Sequence, residues 1–155
     1  MEKLFIPVLQ GTTRQKRKSI YAAWLVERVG KEFEEVKTVL VDPLDFNFPF
    51  DGNDPEGKDP RYSKITKEAD GFFIVTPEYN HGYPGSLKRM LDSELENYIH
   101  KPVAFAGVSS GPWGKGNLLD EKYRERVKRP WEELIWMAKV LKSGRTNVKS
   151  KYHTT

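Results

Sequence analysis

The chain has 155 residues, a net charge of +4 and no cysteine. Its length suits one ordinary domain, and 31% charged against 37% hydrophobic residues indicates a globular protein. The absence of cysteine excludes disulfides, thiolate metal sites, cysteine nucleophiles and cysteine-ligated iron–sulfur clusters. No apolar run is long enough to cross a bilayer, and the first residues do not form a signal peptide. We therefore expect a cytoplasmic protein.

The first half of the chain alternates between apolar runs and amphipathic segments. Residues 4–9 predict a buried strand, although Pro7 cannot donate a ladder hydrogen bond. Ser19 is placed to cap a helix whose apolar residues recur at helical spacing: Ala22, Ala23, Val26, Val29 and Phe33. Residues 36–41 predict a second strand. Residues 42–61 have no clear period and predict an ordered loop of the kind that often shapes a site.

The second half continues this alternation. A short helix is predicted over residues 62–69 and the clearest strand of the chain over residues 71–76. A Pro-framed loop, residues 77–84, leads into a helix with apolar residues on one face: Leu87, Met90, Leu91 and Leu95. Residues 102–108 predict a fourth strand, and a Gly-rich loop follows at residues 109–116.

A last helix is predicted to start near Pro130, with apolar residues again at helical spacing: Trp131, Leu134, Ile135, Ala138 and Leu141. Regular alternation of strand and helix predicts the α/β class, here one domain over residues 1–155 with a parallel sheet between two helical layers. Such sheets bind ligands outside the carboxyl ends of their strands. The three unusual loops all follow strands and meet at that edge.

The first loop has the composition of a phosphate site. Gly11 lets the backbone turn, and the start of the following helix favours an anion. Hydroxyl groups of Thr12, Thr13 and Ser19 can donate hydrogen bonds, and Arg14 can pair with phosphate oxygens. Four cations in this loop (Arg14, Lys16, Arg17 and Lys18) leave a second interpretation open, a solvated basic turn.

The second loop can hold backbone amides at fixed positions beside a flat ring such as a flavin. Its candidate residues are consecutive: Pro77, Glu78, Tyr79, Asn80 and His81. A plain strand-to-helix turn is the alternative, and His81 has no partner at a metal-ligand spacing. In the third loop, which begins at Ser109, glycines such as Gly111 allow a ligand to approach the backbone, and Trp113 could flank an aromatic ring.

Together these segments resemble the NADPH-dependent FMN reductase family, which has a flavodoxin-like fold. The first family motif, G-[ST]-x-R with a helix-opening serine, is matched by Gly11, Thr12, Arg14 and Ser19. The second, P-E-Y-N-x-x-x-P-G-x-L-K, is matched by Pro77, Glu78, Tyr79, Asn80, Pro84, Gly85, Leu87 and Lys88. The third is matched by Ser109, Gly111 and Gly114.

The resemblance implies an oxidoreductase in which the flavin, and no catalytic side chain or metal, carries the chemistry. The first loop would hold the FMN phosphate, the second the isoalloxazine ring, and the third would border the ring edge. NADPH or NADH would be the hydride donor, and a quinone, an azo compound or a metal oxyanion the acceptor. Family members are commonly homodimers or tetramers. No nucleic acid or membrane is implied as a partner.

The C-terminal third departs from the family pattern. The family continues with a helix and a fifth strand after the Gly-rich loop, whereas this chain proceeds almost directly to its last helix. We therefore expect four strands in the order 2-1-3-4, with the fifth strand missing and the fourth at an edge that a helix or a partner must cover.

Two other functions stay open. The chain could bind FMN or another phosphate without turnover, since it lacks the internal helix–strand unit. It could also be a basic nucleic-acid module acting through residues 14–18, although no aromatic stacking platform accompanies these cations.

Overall fold

The computed structural model describes residues 2–49, 55–109 and 121–152. These residues form strands β1 (Leu4–Phe5), β2 (Val8–Gln10), β3 (Val36–Lys37), β4 (Leu40–Val41), β5 (Phe72–Pro77) and β6 (Val103–Val108). The α-helices are α1 (Ser19–Gly30), α2 (Pro60–Glu68), α3 (Gly85–Asp92) and α4 (Glu121–Asn147), with short 3₁₀ turns at Pro43–Asp45, Pro55–Gly57 and Glu96–Tyr98. None of the described helices combines the length and the apolar character needed to span a membrane.

All pairings between the described strands are parallel. Four strands form one sheet in the order β4-β2-β5-β6, and β1 pairs with β3 just before β2 and β4. Since β1 and β2 cover the first predicted strand and β3 and β4 the second, the predicted order 2-1-3-4 is confirmed. The first strand breaks at Pro7 because proline has no N–H to donate. Its carbonyl still accepts from the N–H of Phe73 at 3.0 Å, which keeps the chain in the sheet.

Helices cover both faces of the sheet, as predicted. β5 is buried on both sides because alternate side chains of a strand point to opposite faces. Phe73 and Val75 join a core with α1 and α4, whereas Phe72 and Ile74 join a second core with α2 and α3. The predicted apolar positions of α4 confirm this placement, since Trp131, Leu134, Ile135 and Ala138 are buried and Leu141 is half-buried.

The start of α4 was predicted wrongly. The helix begins at Glu121 and continues through Pro130. Proline removes one N–H and leaves the carbonyl of Arg126 without a helical donor, but Arg126 is exposed and water can satisfy that carbonyl. Arg124 pairs with Glu32 at 3.1 Å and holds the early turns in place. Packing of the first turns therefore overrides the tendency of proline to start a helix.

The middle of α4 is fixed against α1. The indole N–H of Trp131 donates to the carbonyl of Val26 at 2.9 Å, and the ring is fully buried. A Cβ on Gly30 would lie 2.4 Å from a ring carbon of Trp131, so only glycine leaves room for this indole.

The other end of α4 is fixed to the amino end of the sheet through Asp70. This buried carboxylate accepts hydrogen bonds from the N–H of Phe5 at 3.1 Å, from Lys142 at 3.0 Å and from Arg145 at 2.9 Å. Asp70, which lies just before β5, therefore joins the first strand to the C-terminal helix.

The segment before α2 is ordered by an aspartate. Asp59 accepts hydrogen bonds from the N–H groups of Asn47 and Arg61 and so caps the helix that begins at Pro60. The predicted helix over residues 62–69 is therefore present but starts and ends slightly earlier. Asp59 therefore ties Asn47, early in this segment, to the start of α2.

In the described sheet β6 pairs only with β5 and lies at an edge, as predicted. Ala104, Ala106 and Val108 pack on the α1–α4 side. On the opposite side of β6, Phe105 is 62% and Val103 44% exposed among the described residues. Leu95, predicted on the buried face of the third helix, lies beyond the end of α3 and is 69% exposed, so that part of the prediction was wrong.

Candidate functional site

The three loops that the sequence singles out leave the sheet at its carboxyl edge. β2 ends at Gln10, β5 at Pro77 and β6 at Val108. The register places Gln10 beside Val75 and Pro77 beside Val108, so neighbouring strands end within a few residues of one another. This is the edge at which parallel α/β sheets bind ligands.

The first loop, residues 11–18, turns tightly between β2 and α1. The N–H of Gly11 donates to the carbonyl of Val75 at 2.8 Å, which holds the turn against β5. A Cβ at this position would lie 2.8 Å from the hydroxyl oxygen of Thr76. The predicted role of Gly11 in the turn therefore has a steric cause, because any side chain would push the loop away from β5.

This loop presents backbone donors. Within the described part of the chain, five N–H groups of the loop donate no hydrogen bond, those of Thr12, Thr13, Gln15, Lys16 and Lys18. The α1 N-terminus that follows adds a partial positive charge. Free N–H groups beside a helix start fit a phosphate monoester, which accepts several hydrogen bonds and carries negative charge.

Gln10 organises this loop, and sequence reasoning missed it. Its side chain is fully buried, accepts from the N–H of Gly11 at 3.0 Å and donates to the hydroxyl of Ser19 at 2.8 Å. An amide at the end of an otherwise apolar strand was the available signal. Because the oxygen of Ser19 accepts from Gln10, its own proton is free to donate to a ligand.

The prediction that Ser19 caps α1 was wrong. The capping position is Lys18, which makes no side-chain cap hydrogen bond, and Ser19 is the first helical residue. Its hydroxyl turns toward Gln10 instead of the helix N–H groups. Ser19 nevertheless lies where the resemblance places it, buried at the helix start behind the first loop.

The basic cluster of this loop divides into two parts. Arg14, Lys16 and Lys18 are exposed. Arg17 turns inward and pairs with Asp42, with only 10% of its side chain exposed. Arg17 therefore ties the loop to the residue that follows β4, and within the described residues its buried Nε has no partner. Three cations of the cluster face solvent at the site.

The second loop is a tight hairpin built on Tyr79 and Gly82. Each donates its N–H to the carbonyl of the other, at 2.8 and 3.0 Å. Asn80 and His81 form the turn with φ angles of 49° and 61°, in the left-handed region that two-residue hairpin turns require. Their N–H groups donate to nothing among the described residues. The amides available to a flat ring are thus those of Asn80 and His81.

Glu78 and His81 lie at the surface of this hairpin. Their side chains approach to 3.4 Å, with 54% and 99% of the side chains exposed. The N–H of Glu78 donates to the carbonyl of Val108 at 3.3 Å, which ties the loop to the end of β6. Neither side chain is desolvated, and their exposure favours a role for the backbone of this loop over acid–base chemistry by its side chains.

Direct contacts join the first and second loops. The hydroxyl groups of Thr12 and Tyr79 lie 3.1 Å apart, and the guanidinium of Arg14 lies 4.9 Å from the centre of the Tyr79 ring. Ser86, at the start of α3, donates to the carbonyl of Gly11 at 3.1 Å. The structure thus brings together the two segments that the sequence predicts as phosphate and ring sites.

The third loop is described only at its beginning. Ser109 is exposed and follows β6 directly, beside the second loop. Gly111 lies outside the described residues, as do Trp113 and Gly114.

Comparison with known proteins places this arrangement among flavoenzymes. A family model described as NADPH-dependent FMN reductase matches residues 6–122. An NAD(P)H-dependent FMN reductase of Schizosaccharomyces pombe is 37% identical over 127 residues, covering 75% of this chain and 62% of that protein. An NADPH azoreductase of a Bacillus strain is 44% identical over 60 residues, covering 38% of this chain and 34% of that protein. The chain thus spans less than two thirds of either relative.

A solved structure supports the fold. The flavoenzyme NAD(P)H:(acceptor) oxidoreductase FerB of Paracoccus denitrificans matches with a TM-score of 0.66 at 17% identity, covering 88% of this chain and 98% of that one. The expected flavodoxin-like fold is therefore confirmed. With the family match across most of the chain and the two joined loops at the expected edge, the chain belongs to the NADPH-dependent FMN reductase family.

Proposed function

We propose that this chain binds FMN and serves as an NAD(P)H-dependent oxidoreductase. The observation that carries the proposal is the junction of the two loops through Thr12 and Tyr79, whose hydroxyl groups are 3.1 Å apart. This contact joins a turn rich in free N–H groups to a hairpin with two unpaired amides. A flavin mononucleotide has the matching pair of features, an anionic ester at one end and a flat ring with acceptor atoms at the other.

The first loop would hold the phosphate. The N–H groups of Thr13 and Gln15 and the hydroxyl of Ser19 supply donors, and Arg14 supplies charge. Lys16 and Lys18, exposed beside it, add a positive field that attracts the dianion. The ionised oxygens of a phosphate accept hydrogen bonds, so these donors could form charge-assisted hydrogen bonds with it without proton transfer.

The second loop would orient the ring. Asn80 and His81 hold unpaired N–H groups on a hairpin whose geometry Tyr79 and Gly82 fix by mutual hydrogen bonds. When bound, FMN would supply the redox chemistry between a nicotinamide and an acceptor. The task of the protein is to position the two partners and to stabilise negative charge near these amides.

The acceptor is expected to be a small oxidised compound such as a quinone, an azo compound or a metal oxyanion. The azoreductase named among the relatives supports this class. Arg14 and Lys16 are exposed at the site and favour NADPH over NADH through its extra phosphate. A homodimer or tetramer stays a prediction from the resemblance, to be checked by sedimentation.

The test is the absorbance of the full chain after incubation with FMN and removal of free flavin. We expect retained flavin bands in the near ultraviolet and blue, bleached by NADPH without oxygen and restored by a benzoquinone. Protein that retains no flavin would overturn the proposal.

A second candidate is an FMN-binding protein without turnover. The exposure of Phe105 on β6, 62% among the described residues, favours it, because we expect the internal helix–strand unit of the family pattern to be missing after this strand. Retained flavin bands that NADPH does not bleach would establish this alternative.

A further inference from the structure

Tyr79 belongs to the second loop by sequence, but its side chain lies against the first. Its hydroxyl is 3.1 Å from that of Thr12, a buried residue directly after Gly11. The ring of Tyr79 also lies under the guanidinium of Arg14, with 4.9 Å between them. The contacts of Tyr79 are therefore with two candidate phosphate-binding residues.

The hydroxyl groups of Thr12 and Tyr79 have one proton more than their mutual hydrogen bond uses. The hydroxyl oxygen of Thr12 also faces the backbone N–H of Arg14 at 3.3 Å, where it can only accept. Thr12 and Tyr79 together carry two hydroxyl protons, and their mutual hydrogen bond uses one. Whichever hydroxyl donates, the other proton remains for a ligand, and the mutual hydrogen bond holds the hydroxyl that carries it in place.

The ring of Tyr79 has a separate effect on Arg14. An exposed arginine samples many rotamers, and fixing one costs entropy when a ligand binds. Stacking on the ring of Tyr79 restricts the guanidinium of Arg14 before a ligand binds and so lowers that cost.

We propose that Tyr79 is a positioning residue for the phosphate end of the site, and that through Thr12 and Arg14 it makes the protein select FMN over riboflavin. This inference rests on the proposed function, since it assumes that a flavin occupies both loops. It assigns the side chain of Tyr79 to the phosphate and leaves the ring to the backbone of Asn80 and His81.

The test compares two ligands that differ only in the phosphate. FMN and riboflavin are titrated into the flavin-free full chain, and dissociation constants are read from flavin fluorescence. In Tyr79→Phe we expect FMN to bind about tenfold more weakly, because the hydroxyl of Thr12 is no longer held in position to donate to the phosphate, with riboflavin binding unchanged. The matched control is Tyr83→Phe, in the same hairpin, with its side chain exposed; it should change neither constant.

Two further variants separate the hydroxyl from the ring. Thr12→Val should weaken FMN to the same extent as Tyr79→Phe, and the double variant should be little worse than either, because each change breaks the mutual hydrogen bond that orients the remaining hydroxyl. Tyr79→Leu, which also removes the stacking surface, should weaken FMN more than Tyr79→Phe while riboflavin stays unchanged.

Equal weakening of FMN and riboflavin in Tyr79→Phe would place the side chain at the ring and overturn the inference, as would unchanged affinity for both. If the parent protein binds neither flavin, the proposed function itself fails. If the parent binds FMN and Tyr79→Phe keeps the same selectivity for FMN over riboflavin, the proposed function stands and only the role of Tyr79 is overturned.

Discussion

At the amino end of the sheet, the carboxylate of Asp70 accepts hydrogen bonds from Phe5, Lys142 and Arg145. At the carboxyl end, by contrast, the N–H groups of Thr13 and Gln15 donate to nothing in the described residues. The first end satisfies its polar groups inside the chain and fixes α4 to the sheet. The second leaves donors for a ligand. The contacts that stabilise the fold and the proposed binding site therefore lie at opposite ends of the same strands, so substitutions at each end should have separable effects.

The largest effect on stability is expected for Asp70→Ala. It leaves Lys142 and the half-buried Arg145 without their shared partner, and we expect a loss of about 3 kcal/mol in the free energy of unfolding. Urea titration measures it. The control Glu35→Ala removes an exposed pair with Lys139 and should cost less than about 0.5 kcal/mol. Weakened FMN binding in folded Asp70→Ala protein would contradict the separation of the two ends.

Gln10→Glu tests the direction of the Ser19 hydroxyl. A carboxylate at this position can only accept, so the Ser19 proton would turn to it and away from the ligand, and the new charge would repel phosphate. FMN binding should weaken by about 2 kcal/mol, roughly thirtyfold, as measured by calorimetry. Gln15→Glu adds the same charge in the same loop without reaching Ser19 and should weaken FMN less. Equal effects of the two changes would leave charge alone as the cause.

Arg14→Ala should weaken FMN binding about tenfold, or ~1.4 kcal/mol, with no change in the midpoint of thermal unfolding, because Arg14 is exposed and its guanidinium lies on the ring of Tyr79. Arg28→Ala, an exposed position in the last turn of α1, controls for net charge. If FMN bound equally well to Arg14→Ala and to the parent, the first loop would not be the phosphate site.

The smallest expected effect is a dependence of folding stability on pH, and it arises at the amino end of the sheet. Lys101 donates to the carbonyls of Thr66 and Lys67 at the end of α2. Burial, aided by the nearby positive charge of Arg145, lowers the pKa of Lys101 to about 8.

Between pH 8 and the ordinary lysine range, the unfolded chain therefore holds more protons at this position than the folded one. The linkage relation then makes the folded state more stable as pH rises through that window. The gain should be less than about 1 kcal/mol, since part of the side chain stays solvated. Urea titrations at pH 7.5 and 9.5 should show the rise in the parent and its loss in Lys101→Met. A parallel rise in both proteins would rule out Lys101 as its source.

Much of the fold could be predicted because it rests on local pattern. The apolar residues of α1 and α4 lie at helical spacing, and Ala23, Val26 and Trp131 are buried as expected. Pro130 misled the prediction, since the signal that starts many helices is overridden here by packing on both sides of it. Leu95 misled it in a similar way, because the helix that would have buried this residue ends at Asp92.

The candidate site could be predicted as a set of loops but not as a set of contacts. Gly11, Arg14 and Tyr79 were all expected there, yet the sequence gives no means of knowing that Tyr79 reaches Thr12 across the site. Such contacts depend on strand order and register. Gln10 was missed for the same reason, because its partner Ser19 is recognisable only when the loop is folded.

The sequence by itself determined the alternation of strands and helices and the identity of the loops, since periodicity and glycine or proline positions act over short distances. The order of the sheet was expected from the family resemblance. The tertiary structure alone decided which polar groups are satisfied internally and which remain for a ligand. Arg17 shows the difference: by sequence it is one of four cations in a loop, and in the fold it pairs with Asp42 and faces inward. Hydrogen bonding is directional and short-ranged, so only folded coordinates reveal which donors are left.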